Sequence, residues 1–134
     1  MMKVAIPIWN SRISPLLDTA RHLLIVEIEN GLELSRSEVE LEDYFLPRRA
    51  RRLVELDIKI LICGAISRQL AAMLVGSGIT VVPWMSGLID DVLQAYLKGK
   101  LPDSRFLMPG CPRRGLRGRF HGGRRPWWVW EGKL

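Results

Sequence analysis

The sequence predicts an α/β fold: a three-layer α/β/α sandwich with one mixed five-stranded sheet in the strand order 3-2-1-4-5. Asn30-Gly31, the strongest short-range hairpin signal, joins two strand patterns and predicts an antiparallel pair. Residues 58–63 and 79–82 are nearly continuous apolar runs, typical of strands buried on both faces. Helical patterns separate these runs, so right-handed crossovers make them parallel to each other and to the first strand.

The elements follow in the order β-β-β-α-β-α-β-α. The first strand is the short apolar run at residues 4–8, and residues 9–15 have the composition of a turn. Residues 22–28 and 32–41 form the hairpin, and the second of these alternates apolar and polar residues as a half-exposed strand does.

Three segments with helical periodicity complete the predicted fold. The first begins after Pro47, which suits the first turn of a helix, and directs its apolar residues, Val54 among them, inward. Four arginines are expected to point outward from it: Arg48, Arg49, Arg51 and Arg52. The second helix covers residues 69–75, and the third extends from Ser86, as its N-cap, to about Leu97.

Charge divides the chain into two parts. The formal net charge is +6, yet residues 1–111 hold 13 Lys+Arg and 13 Asp+Glu. Residues 112–134, with seven cations and Glu131, therefore carry the whole excess. We predict an α/β domain over residues 1–101 and an irregular, basic, tryptophan-containing tail over residues 102–134, because a stretch dominated by Arg, Gly and Pro cannot bury a core.

Composition excludes several classes of protein. The chain has no 18-residue apolar run, which predicts that no transmembrane segment exists, and it opens in a strand pattern that leaves no room for a signal peptide. Its two cysteines, Cys63 and Cys111, cannot build a disulfide framework, which predicts reduced thiols and a cytoplasmic location. A nuclease is not expected, because the first strand carries no carboxylate and two-metal cleavage needs several.

Polar loops that follow the apolar strands are the candidates for function, because ligands of open α/β sheets bind beyond the carboxyl ends of the strands. In the predicted strand order, the loops after the first, fourth and fifth strands lie side by side. Their candidate binding residues are Trp9, Asn10, Ser11, Cys63, Gly64, Ala65, Ser67, Arg68, Trp84 and Ser86. No recognisable catalytic set occurs among them, so we predict a binding protein and not an enzyme.

Two features of these loops favour an anionic guest such as a phosphate or a metal-sulfur cluster. The helix that starts near Ser67 directs backbone N–H groups at the edge. Cys63 lies at a strand end just before that helix, where a thiol pKa is lowered and metal ligation is favoured. The alternatives are that Cys63 is a buried apolar residue and that Trp9 and Trp84 cap the core.

Three stretches of the chain carry a resemblance to a known family. They are Val4-Ala-Ile-Pro-Ile with Ile13-Ser-Pro-Leu-Leu-Asp-Thr-Ala-Arg21, Leu61-Ile-Cys-Gly-Ala-Ile-Ser67 with Gly78-Ile-Thr-Val-Val82, and Ser86-Gly87 through Leu97-Lys-Gly-Lys-Leu101. In order and spacing they resemble the dinitrogenase iron-molybdenum cofactor biosynthesis family. The chain departs from that family's pattern at Ser67, where many members have a glycine, and at Trp9, where no metal-binding side chain stands.

The resemblance implies a ribonuclease-H-like motif and a non-catalytic carrier or scaffold for an iron-sulfur or iron-molybdenum-type cluster, in a context such as nitrogen fixation. Cys63 and Cys111 are the candidate metal ligands. An iron-sulfur cluster usually takes about four cysteine ligands. A cluster would therefore bridge the subunits of a homodimer, be held by few protein ligands, or bring external ligands of its own.

The tail allows three interpretations. Its arginine-glycine stretch, residues 113–125, resembles segments that track phosphate backbones, so a nucleic-acid or protein interaction module is the alternative function. Basic charge beside Trp127, Trp128 and Trp130 equally suits an anionic membrane surface or another acidic partner. The third interpretation is that these tryptophans dock on the body of the protein or on a second subunit.

Overall fold

The computed structural model describes residues 2–99 and 106–108. The elements are β1 (Met2–Trp9), β2 (Arg12–Ile13), a 3-10 turn (Leu17–Thr19), β3 (His22–Glu29), β4 (Leu32–Glu40), α1 (Leu46–Glu55), β5 (Ile60–Ile62), α2 (Arg68–Gly76), β6 (Thr80–Val82) and α3 (Ile89–Leu97). No helix within these ranges is long and apolar enough to cross a membrane. Cys111 and residues 112–134, on which several predictions fall, lie outside the described residues.

The strands form one mixed sheet in the order β4-β3-β1-β5-β6, which confirms the predicted order 3-2-1-4-5. The β3–β4 and β1–β3 pairs are antiparallel, whereas β5 pairs parallel with both β1 and β6. The prediction missed β2, a two-residue strand antiparallel to β1. The sequence did not reveal β2, because a tight hairpin and an irregular loop are built from the same turn-forming residue types.

Helices cover both faces of the sheet, which confirms the three-layer architecture. On one face, α1 and α2 bury Leu53, Leu70 and Leu74 in a core shared with β1, β3, β5 and β6. On the other face, α3 buries Val92 and Leu93, in the same core as the central strands. The central strands β1 and β5 are therefore enclosed, and their carboxyl ends form one edge of the sheet.

The orientation of α1 differs from the prediction. Arg49 was expected to point outward but is only 2% exposed, and it forms the buried stripe of the helix with Ala50 and Leu53. Val54, expected inward, is 46% exposed. An arginine can occupy the buried stripe because its stem is apolar and its guanidinium finds carbonyl acceptors.

The Arg49 guanidinium joins two loops from inside the protein. Nη1 donates to the carbonyl of Leu17 at 3.2 Å, and Nη2 donates to that of Leu41 at 3.4 Å. Its Nε is buried with no partner among the described residues, and the cation lies 5.0 Å from the centre of the Tyr44 ring. Burial lowers the pKa of this guanidinium, while Tyr44 and Asp18 act in the opposite direction.

Ser86 is not the N-cap of α3, which is a correction to the prediction. The N-cap is Leu88, with no side-chain cap, and Gly87 precedes it at φ +125°. Ser86 is instead engaged by the chain that returns after α3, because its N–H and its hydroxyl both donate to the carbonyl of Phe106.

Residues 106–108 attach to the body beyond the predicted domain boundary at residue 101. The Phe106 side chain is buried in the same core as α3, and Leu107 pairs with Met85 in an antiparallel bridge. The Met108 N–H donates to the carbonyl of Trp84 at 2.8 Å. The division into residues 1–101 and 102–134 stays a prediction.

Candidate functional site

The three candidate loops meet at the edge formed by the carboxyl ends of β1, β5 and β6, as the strand order requires. This loop edge consists of residues 9–12, 63–68 and 83–88. The Ile13 N–H donates to the carbonyl of Gly87 at 3.0 Å, and the Ile89 N–H donates to that of Ser11 at 2.9 Å. The β1–β2 hairpin is thereby fixed to the loop after β6.

The loop after β5 is bonded on both of its sides. Toward β6, the N–H groups of Trp84 and Met85 donate to the carbonyls of Gly64 and Cys63, each at 2.9 Å. Toward the chain after β2, Ala65 exchanges two backbone hydrogen bonds. Its N–H donates to Pro15 O at 2.8 Å, and its carbonyl accepts from the Leu17 N–H at 2.9 Å. The sequence-predicted loops are therefore one bonded unit.

Asn10 and Ser11 have left-handed backbones, with φ of 52° and 63°. They are the two central residues of the β1–β2 hairpin, whose last pair is Trp9 and Arg12. A two-residue type I′ turn needs positive φ at both positions, so these angles follow from the turn. Trp9 is 63% exposed, and the alternative that it caps the core is wrong.

Trp84 has a φ of 68°, which is rare for a bulky residue. Its N–H donates to Gly64 O and its carbonyl accepts from the Met108 N–H, so both sides of the residue are fixed. The side chain is half-buried and packs against the core beneath α3. Such strain persists only where the surrounding structure determines the conformation, and it is frequent at ligand sites.

Two donors at the N-terminus of α2, which was expected to favour an anionic guest, are engaged by the chain itself. The Ser67 N–H donates to Asp18 Oδ1 at 2.8 Å, and the Ser67 hydroxyl accepts from the Leu70 N–H at 3.2 Å. Asp18 lies in the 3-10 turn that Ala65 and Arg49 hold in place. A carboxylate at this position compensates the helix dipole, so it takes the role expected of a ligand.

Asp18 was not among the site residues predicted from the sequence. The available signal was its position in Ser14-Pro15-Leu-Leu-Asp18, within a stretch that carries the family resemblance. Its partner, Ser67, is 49 positions away in the sequence. Local pattern alone does not reveal a carboxylate that caps so distant a helix.

Cys63 is fully buried in the core beneath α1 and α2. The expectation that its pKa is lowered is wrong: burial raises the pKa of this thiol, and the nearby Asp18 carboxylate adds to the effect. Since the thiolate is the metal-binding form, Cys63 in this conformation is a neutral core residue. A ligand role for Cys63 and for Cys111 stays a prediction.

The exposed groups of the loop edge include two cations beside the apolar side chains of Trp9 and Leu88. Arg12 and Arg68 are exposed, and neither has an ion-pair partner among residues 2–99 and 106–108. The same part of the chain contains no group of three or more His, Cys, Asp or Glu side chains arranged for a metal ion. The edge therefore offers charge and hydrogen bonds to a guest, and not a set of protein ligands.

Gly64 is the tightest point of the loop edge. A Cβ at this position would lie 2.7 Å from Pro15 O and 2.9 Å from Ser14 O, both backbone atoms. Gly64→Ala should force the two loops apart and destabilise the fold by about 2 kcal/mol. Urea unfolding measures the effect. Gly76→Ala, where a Cβ meets nothing within 4 Å, is the matched control and should be neutral or stabilising. Equal unfolding midpoints for Gly64→Ala and wild type would contradict this tight contact.

Burial of Cys63 has a consequence for stability at alkaline pH. The folded protein keeps the thiol proton above pH 9.0, the ordinary value at which the unfolded chain releases it. The free energy of unfolding should therefore fall as pH rises above that value, by up to about 1.4 kcal/mol per pH unit from this group. Comparing urea unfolding of wild type and Cys63→Ala from pH 8 to pH 10 isolates the effect. Parallel pH profiles would mean that the thiol is not buried as described.

Comparisons with known proteins agree with this fold. The profile of the family described as "Dinitrogenase iron-molybdenum cofactor" matches residues 1–99. An uncharacterised protein of Methanocaldococcus jannaschii is 29% identical over 108 residues, which cover 75% of this chain and 90% of that protein.

Solved structures of other proteins are similar to this fold. The crystal structure of PH0822 has a TM-score of 0.70 and 26% identity, covering 74% of this chain and 91% of its own. The apo form of the orange protein from Desulfovibrio gigas shares the fold, with a TM-score of 0.64 at 18% identity over 80% of this chain and 96% of its own. Since the family profile spans most of the chain, the protein belongs to the dinitrogenase iron-molybdenum cofactor family.

Proposed function

We propose that the protein is a non-catalytic carrier or scaffold for a metal-sulfur cluster, of the iron-sulfur or iron-molybdenum type, in cofactor biosynthesis. The match of residues 1–99 to the dinitrogenase iron-molybdenum cofactor family carries this proposal. The position of the loop edge supports it, because guests of open α/β sheets bind beyond the carboxyl ends of the strands.

The chemistry of the loop edge limits how such a cargo is held. Cys63 is a neutral, buried thiol, and Asp18 already occupies the N-terminus of α2. Arg12 and Arg68 remain to attract an anionic cluster, with the Asn10 amide and the Ser11 hydroxyl as hydrogen-bonding groups. We therefore favour a cluster that is assembled elsewhere and retains external ligands of its own.

One thiol is tethered to this edge by the chain. Met108 is hydrogen-bonded to Trp84, and three peptide links join it to Cys111. Three links span at most about 11 Å, so Cys111 is close along the chain to the part of the protein that Met108 contacts. Cys111 is accordingly our first candidate for a protein ligand, and Cys63 is the second.

Anaerobic reconstitution of the full chain with iron, sulfide and molybdate tests the proposal. We expect metal bound to the protein and visible charge-transfer absorption after desalting. Cys111→Ser should lower the absorption at a fixed protein concentration, and Arg12→Ala with Arg68→Ala should lower the affinity. Cys63→Ala should retain both, since its Sγ does not reach the surface.

The outcomes separate the parts of the proposal. A colourless, metal-free wild type after reconstitution would overturn the carrier function. Loss of colour in Cys63→Ala, with the circular dichroism spectrum unchanged, would make Cys63 a ligand and would require residues 64–67 to move. Leu32→Ser, at the hairpin that joins β3 and β4 at the opposite end of the sheet, is the control and should bind as wild type does.

A further inference from the structure

The helices α1 and α2 pack side by side on one face of the sheet and leave a groove between them on the protein surface. The groove has a volume of about 550 Å³, which is typical of pockets that hold organic groups. Its apolar and small lining residues are Pro47, Ala50, Val54, Ala72, Met73 and Gly76. We call it the α1–α2 groove. The residues of the loop edge do not line it.

The shape of the α1–α2 groove suits a third helix. In each helix the lining residues are three or four positions apart, so they lie on one helix face. Ala50, Ala72 and Gly76 have short side chains or none, which lets another backbone approach closely. Val54, which is 46% exposed, and the half-buried Met73 supply apolar contact. An amphipathic helix binds such a groove with its apolar stripe.

The charge of the α1–α2 groove is positive. Arg51 lines it, is exposed, and has no ion-pair partner among residues 2–99 and 106–108. Arg68 lies four positions before Ala72 and therefore on the same stripe of α2. No described lining residue is acidic, because α2 contains no acid and Glu55 of α1 lines the neighbouring cleft toward β4. The groove thus offers cations to a carboxylate-bearing partner.

Charge argues against both occupants that this chain itself provides. A second copy bound around a two-fold axis would present the same patch, which brings Arg51 close to its own counterpart. Like charges brought together at an interface are unfavourable. Residues 112–134 carry seven cations and Glu131 alone, so the groove repels them as well.

A membrane surface matches the α1–α2 groove poorly. Helices that bind membranes insert large apolar side chains such as Trp, Phe and Leu between the lipids. The groove instead recesses small residues, among them Ala50 and Gly76, between two helices. A partner protein with an acidic helix is therefore the occupant that agrees with both shape and charge.

We propose that the α1–α2 groove is the docking site for an acidic amphipathic helix of a partner protein. The apolar stripe of that helix fills the groove, and its flanking carboxylates pair with Arg51 and Arg68. Because Arg68 also belongs to the loop edge, the docked helix would border that edge. This inference does not rest on the proposed function, since the contact needs no cargo.

A designed peptide is the probe that tests the docking. It has about 18 residues, or five helical turns, with a Leu stripe at three- and four-residue spacing, Glu on both flanks and Ala elsewhere. Titrated into the full, metal-free chain, it should move the amide resonances of Ala50, Val54 and Met73 with saturation. Val92, in α3 on the other face of the sheet, should not respond. The same peptide with Lys in place of Glu is the control and should move none of them.

Matched variants decide whether charge and apolar contact both contribute. Arg51→Glu should weaken binding of the Glu peptide by at least about tenfold, because it replaces attraction by repulsion. Lys98→Glu makes the same reversal at an exposed position after α3 and should bind as wild type does. Val54→Ser should weaken binding by removing an apolar contact. All three side chains are exposed, and an unchanged circular dichroism spectrum confirms that the fold is kept.

Several results would overturn the proposal. One is a set of groove resonances that the Glu peptide does not move. Another is equal affinity for the Glu and Lys peptides, or for wild type and Arg51→Glu. Groove resonances that move with protein concentration in the absence of peptide would make a second copy the occupant. Groove resonances that respond to phosphatidylglycerol vesicles but not to the Glu peptide would assign the groove to a membrane surface.

Discussion

The loop edge depends on the close contact between Gly64 and the chain at Ser14 and Pro15. A Cβ at Gly64 would lie 2.7 Å from Pro15 O, so only glycine permits this approach. The contact lets Ala65 exchange backbone hydrogen bonds with Pro15 and Leu17. Those bonds place the 3-10 turn against α2. Without them, the 3-10 turn and its Asp18 carboxylate would not be held against the N-terminus of α2.

This arrangement positions two charged side chains, Asp18 and Arg49, and they change the chemistry of the edge. Asp18, carried by the 3-10 turn, binds the Ser67 N–H, while the buried Arg49 holds the Leu17 carbonyl from beneath. The chain thus satisfies part of its own helix N-terminus, a position that in many α/β proteins receives a phosphate. Among the described residues of the loop edge, Arg12 and Arg68 remain as exposed cations. This division is consistent with the proposed carrier function.

The strand order and the layers could be predicted from the sequence. Apolar runs and the Asn30-Gly31 turn are local patterns, and the handedness of crossovers is a general rule. The sequence was insufficient where a tertiary contact overrides a local pattern. Ser86 has the chemistry of an N-cap but bonds to Phe106. Arg49 lies in an arginine-rich stretch that is typical of an exposed helix face, but its guanidinium donates to two carbonyls in the protein interior. Cys63 precedes a helix, yet burial raises its pKa, and the Asp18 carboxylate adds to the effect.

The central claim is that Asp18 occupies the N-terminus of α2, and titration with inorganic phosphate tests it most directly. In wild type, the Ser67 amide resonance should not respond to phosphate, because its N–H is already donated to Asp18. In Asp18→Ala, the freed N–H should bind phosphate and the resonance should move with saturation. Asp91→Ala, an exposed carboxylate in the first turn of α3, should behave as wild type does. A wild-type Ser67 resonance that moves as it does in Asp18→Ala would contradict the account.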